Sequence, residues 1–65
     1  MDPRVNQLIN EIVRIADQLK HDAQETAGYV QRGDKATALR NTNDSRDEVQ
    51  DLVRKWQELT NLLNS

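Results

Sequence analysis

Apolar and small side chains in this chain recur at alternating steps of three and four residues, first over Val5, Ile9, Ile12, Ala16, Leu19, Ala23, Thr26 and Val30, then over Ala38, Thr42, Ser45, Val49, Leu52, Trp56, Leu59 and Leu63. This is the period of a helix that hides one stripe, and no strand alternation competes with it. A disordered segment has no reason to keep such a period. Leu8, Val13 and Ile15 widen the first stripe, and Val53 and Leu62 widen the second. A face that broad needs more than one helix to cover it.

The ends of the two stripes carry helix punctuation. Asp2 before Pro3 is a start signal, because the carboxylate can accept from free N–H groups of the first turn and proline at the first helical position loses no hydrogen bond. Gly33 suits the left-handed residue that closes a helix, and Asp34 can cap the helix that follows. The spacing therefore predicts an all-α chain, an antiparallel hairpin with a helix over about residues 3–32, a turn at 33–34 and a helix over about 35–63. Arms of that length reach roughly 45 Å at about 1.5 Å per residue. Folding at Gly33 brings Val30 near Ala36, Ala23 near Thr42 to Asp44, Ala16 near Val49 and Ile9 near Trp56, so small residues face small ones and bulky residues bulky ones. Asn41-Thr42-Asn43-Asp44 is made of turn-favouring residues, and Ser45 with Glu48 matches a capping box. The alternative is thus a three-segment chain with a break near 41–44.

Size decides what else is needed. A single domain of 65 residues buries a small fraction of its surface and ordinarily relies on a staple or a partner. Cysteine is absent and His21 is the lone histidine, so no disulfide framework and no thiolate zinc site is expected. Association remains. The stripe predicts a homodimer, two hairpins forming a four-helix bundle, or a helical protein partner. The residues expected at that interface are Leu8, Ile9, Ile12, Val13, Ile15, Leu19, Val49, Leu52, Val53, Trp56, Leu59, Leu62 and Leu63.

Other patterns yield blander readings. Asp17, His21 and Glu25 share a helical face that could hold a metal, yet a solvated ion-pair face explains them. Arg32-Gly33-Asp34 spells an adhesive tripeptide but reads as a turn, and Asn43-Asp44-Ser45 as a polar helix segment. No glycine-rich phosphate loop and no paired nucleophile and base is evident, so neither catalysis nor a cofactor is expected. The net charge of −2 disfavours nucleic acid. Lys35, Arg40, Arg46, Arg54 and Lys55 are interleaved with Asp44, Asp47, Glu48, Asp51 and Glu58, which cancels most of any basic patch. Met1-Asp2-Pro3-Arg4 opens no apolar leader, and no membrane span is evident, so a cytoplasmic protein, or an excised fragment of something larger, is expected.

Trp56 is expected in the core of the seam, with an anchor at a partner surface as the functional alternative. Its surroundings, Leu52-Val53-Arg54-Lys55-Trp56-Gln57-Glu58-Leu59, resemble the tryptophan-bearing helices of spectrin-type repeats over about a dozen residues, although the chain is too short for a three-helix repeat. The expected role is a non-catalytic protein–protein interaction or assembly module acting through a coiled-coil-like seam. A small dimeric regulator of nucleic-acid transactions is the second expectation.

Overall fold

The structure is a computed structural model that describes residues 2–65, and Met1 lies outside the described residues. Helix α1 spans Pro3–Gln31, and a second arm made of α2 (Lys35–Asp44) and α3 (Arg46–Asn64) returns alongside it. The hairpin is elongated, 48 × 14 × 13 Å.

Its ends form as the sequence predicts. Asp2 Oδ1 accepts the backbone N–H of Arg4 at 2.9 Å, with Pro3 starting the helix. At the other end Asp34 N–H donates to the Tyr29 carbonyl (2.9 Å) and Gly33 N–H to that of Val30 (3.0 Å), the paired bonds of a Schellman closure. Gly33 has φ +76°, a left-handed value that a side chain would make costly. The Arg32 guanidinium lies over the Tyr29 ring, 4.8 Å from its centroid. Asp34 then caps α2 by accepting from Thr37 N–H at 3.1 Å.

The second arm is neither a straight helix nor two separate ones. It bends at Ser45, whose backbone stays in the right-handed region (φ −83°, ψ −5°). The hydrogen-bond ladder crosses the bend: Ser45 N–H donates to Asn41 O and Val49 N–H to Ser45 O. Ser45 also departs from the capping box. Its hydroxyl makes no cap bond to α3, donating instead across the hairpin to Asp22 Oδ2 at 2.8 Å, with the Asn41 carbonyl as a second acceptor at 3.1 Å. A serine that bonds back to the carbonyl four residues earlier bends a helix.

The two arms meet along one seam. From α1 it takes Val5, Leu8, Ile12, Ile15, Leu19, Asp22, Thr26 and Tyr29, and from the second arm Ala38, Asn41, Ser45, Glu48, Leu52, Lys55, Leu59 and Leu62, all buried or half-buried. Both sets step by three and four. The bond from Ser45 to Asp22 and that from Asn41 Nδ2 to Thr26 Oγ1 (2.9 Å) fix the antiparallel register. Continued along the arms, this register sets Leu19 level with Glu48, Ile12 with Lys55 and Leu8 with Leu59. Toward the open end the seam is apolar except for Lys55, with Val5, Ile12 and Leu59 clustered and Leu52 and Leu62 packed against them.

This corrects the sequence expectation at every second position. The expected stripe shares Val5, Ile12, Leu19, Thr26, Ala38, Ser45, Leu52 and Leu59 with the observed one. Where it continues through Ile9, Ala16, Ala23 and Val30, the seam uses Leu8, Ile15, Asp22 and Tyr29. In the second arm Asn41, Glu48, Lys55 and Leu62 replace Thr42, Val49, Trp56 and Leu63. The pairing of Ile9 with Trp56 inside the seam therefore does not form. Two overlapping phases were open to the chain, and the observed one lets Asp22, Thr26, Asn41 and Ser45 satisfy one another, which a rotation of either helix would undo.

Candidate functional site

Rotating the seam in this way leaves the two flanks of the hairpin chemically different. In an antiparallel helix pair, equivalent flanking positions of the two helices lie on the same side of the seam. One side receives Arg4, Glu11, Gln18, Asp51 and Glu58. Here Lys55 Nζ lies 3.3 Å from Asp51 Oδ1 and 3.7 Å from Glu11 Oε2, and Arg4, Gln7, Leu8, Glu11 and Glu58 line a shallow polar recess.

The other side receives Ile9, Ala16, Ala23 and Val30 from α1 and Thr42, Val49, Trp56 and Leu63 from the returning arm, bordered by Val13, Leu39 and Val53. Its large apolar groups stand in water. Trp56 is 58% exposed, Val53 51%, Val13 52% and Leu63 56%. Two grooves run between the arms on this flank. One, of about 430 Å³, is lined by Ile12, Ala16, Leu52, Val53, Trp56 and Gln57. The other, of about 210 Å³, lies nearer the turn among Leu19, Ala23, Thr42 and Val49, with Asp22, Thr26 and Ser45 completing the lining. Exposed apolar residues scattered singly are ordinary, whereas a contiguous face of them marks an interaction site.

The residues expected at an interface divide cleanly. Leu8, Ile12 and Leu59 are buried within the hairpin, and Ile15, Leu19, Leu52 and Leu62 are half-buried there. Ile9, Val13, Val49, Val53, Trp56 and Leu63 are exposed and lie together on the apolar flank. Trp56 thus sits outside the hairpin core, because its place in the seam is taken by Lys55, whose aliphatic stem packs while its ammonium reaches the carboxylates.

Leu39, 63% exposed at the turn-proximal border of the same flank, is not among the expected residues, although it stands two heptads before Val53 and so on the same helical face. Asp22 and Asn41 were missed too. The Asp22 carbonyl accepts from Asn41 Nδ2 at 3.1 Å and from Thr26 Oγ1 at 2.8 Å, and polar residues at seam spacing would have revealed the pair.

The remaining candidates have local explanations. His21 Nε2 lies 2.8 Å from Glu25 Oε1, and among the described residues no group of three potential ligands converges on a metal position. Arg32-Gly33-Asp34 forms the Schellman turn. Among the described residues no helix is long and apolar enough to cross a membrane. No protein-family model, curated protein or solved structure matches the chain.

Proposed function

We propose that this chain is a non-catalytic protein–protein interaction module that self-associates through its apolar flank, two hairpins completing a four-helix bundle with coiled-coil-type seams. The observation that carries the reading is the exposure of Trp56 beside Val53, Val49 and Ile9 on one side of the hairpin, while the opposite side bears ion pairs. Tryptophan is among the residues most enriched at positions that dominate binding. A second observation adds weight. Glu48 Oε2 is buried in the seam without a hydrogen-bond partner, so the isolated hairpin gives up part of the stability its apolar half supplies. A cysteine-free, charged exterior fits a cytoplasmic setting.

Sedimentation equilibrium at micromolar concentration tests this, with the expected result a mass of two chains and a melting temperature that rises with concentration. Val53→Glu, at an exposed position, is expected to give a folded monomer. A wild-type monomer whose melting is independent of concentration removes self-association and shifts the flank to a different helical partner. Titration with salt separates this role from a nucleic-acid regulator, since apolar burial survives added salt and phosphate-dominated binding falls steeply with it.

A further inference from the structure

The apolar flank is uneven along its length. Toward the open end the large side chains Trp56, Val53 and Ile9 are exposed, the first two on the rim of the larger groove, and toward the turn the smaller groove is walled by the slighter side chains Ala23, Thr42 and Val49. Two cations border the middle of this flank, Lys20 on α1 and Arg46 on α3. The register of the hairpin holds them level with each other on opposite edges.

These features distinguish two ways of stacking a second copy. With both turns at the same end, α1 lies over the returning arm of the other copy in the same register. Lys20 of each chain then meets Arg46 of the other, two like-charge contacts, and Trp56 meets Ile9, bulk on bulk. The Ala23, Thr42 and Val49 groove of one copy then faces the same groove of the other, and no large side chain is level with it. Close packing and charge both disfavour that arrangement.

Resting on the self-association reading above, we propose that the occupant of the flank is a second copy of this chain in head-to-tail orientation, its turn beside the open end of the first. The two-fold axis crosses the hairpin midway, near Ala16 and Gln50. Each Trp56 then covers the Ala23, Thr42 and Val49 groove of the other copy, and Leu39 meets Leu63. Lys20 lays its aliphatic stem over Val13, and Arg46 reaches the Trp56 ring as a cation–π partner. No like charges meet along the flank. The area is sufficient, for a face of 48 × 14 Å is roughly 700 Å² in projection, close to the about 800 Å² per partner that a standard-size interface buries.

The absence of cysteine makes a distance measurement direct. Gln31→Cys, exposed on the last turn of α1, carries one spin label per copy, and pulsed dipolar spectroscopy on the full chain is expected to read about 45 Å, the run of α1 at about 1.5 Å per residue. A separation of about 25 Å or less, the span of labels on neighbouring packed helices, in a sample that still sediments as a dimer, overturns the head-to-tail arrangement and leaves self-association standing. A monomer mass with no dipolar signal overturns both. Lys20→Glu gives an independent reading. Head-to-tail packing keeps it away from Arg46, so the dissociation constant is expected to hold or rise, whereas a dimer tightened by about tenfold or more sets position 20 opposite Arg46 and overturns the proposal.

Discussion

The open-end half of the hairpin and its turn-proximal half are held together by different forces. Toward the open end Val5, Leu8 and Ile12 of α1 meet Leu52, Leu59 and Leu62, with Val5, Leu8, Ile12 and Leu59 buried. Toward the turn the seam is Asp22 and Thr26 against Asn41 and Ser45, joined by hydrogen bonds of 2.8 to 3.1 Å, and Ala38 is the buried apolar residue of α2. Hydrocarbon burial is non-directional and tolerates sliding. A hydrogen-bonded cluster does not, because displacement by one residue leaves each member desolvated and unpaired. The apolar half therefore supplies most of the stabilisation, and the polar half fixes register and rotation.

The most damaging change strikes the apolar half. Ile12→Asp places an unpaired carboxylate in the cluster, and a loss of about 4 kcal/mol or more is expected, enough to abolish the helical circular-dichroism signal of so small a chain. Retention of a cooperative melt close to wild type would show that the open end is not where stability resides.

Pairing one substitution from each half sharpens the contrast. Leu59→Ala is expected to cost about 2 to 4 kcal/mol, and Asn41→Ala, which removes the donor to Asp22 O and Thr26 Oγ1, about 1 to 2 kcal/mol. Denaturant titration gives the order, and the reverse order breaks the assignment of roles. A double-mutant cycle between Asp22 and Ser45 should show coupling, whereas Asp22 with Leu59 should be additive.

The turn that joins the arms comes next in size. Gly33→Val forces a β-branched side chain into a positive-φ position and is expected to destabilise by about 1 kcal/mol or more. Gly28→Ala lies inside α1, where a new Cβ meets Arg32 Nη1 at an ordinary 3.5 Å, and is expected to be neutral or stabilising by up to about 1 kcal/mol. Thermal melts of the two variants decide it, and a damaging Gly28→Ala beside a harmless Gly33→Val would contradict this turn geometry.

The smallest effect belongs to the caps. Hydrogen bonds from Arg4, side chain first and backbone second, hold the Asp2 carboxyl below the usual carboxylate range, and hydrogen bonds from Thr37 do the same for Asp34. Because folding lowers these values, their contribution is present above pH about 4 and disappears as pH falls through the folded-state values. Melting temperatures of wild type and Asp34→Asn should thus converge as the pH is lowered from about 5 to about 2. A gap that widens on acidification would mean that Asp34 is not capping as a carboxylate.

Helical content, the start at Asp2-Pro3, the reversal at Gly33-Asp34 and the near equality of the arms are all legible in the sequence. These are local matters, settled by backbone preference and by which side chains can reach free N–H groups within one turn. The sequence also places apolar residues on both arms in sufficient number for an interface. Which half of each broad stripe turns inward is not legible there. Leu8 and Ile9, or Ile15 and Ala16, satisfy the same three- and four-residue period, and hydrophobicity does not choose between the two phases. The folded hairpin makes the choice, because it depends on residues far apart in the chain: Asp22 needs Ser45, and Thr26 needs Asn41. Once those pairs form, Lys55 enters the seam and Trp56 is turned to the surface.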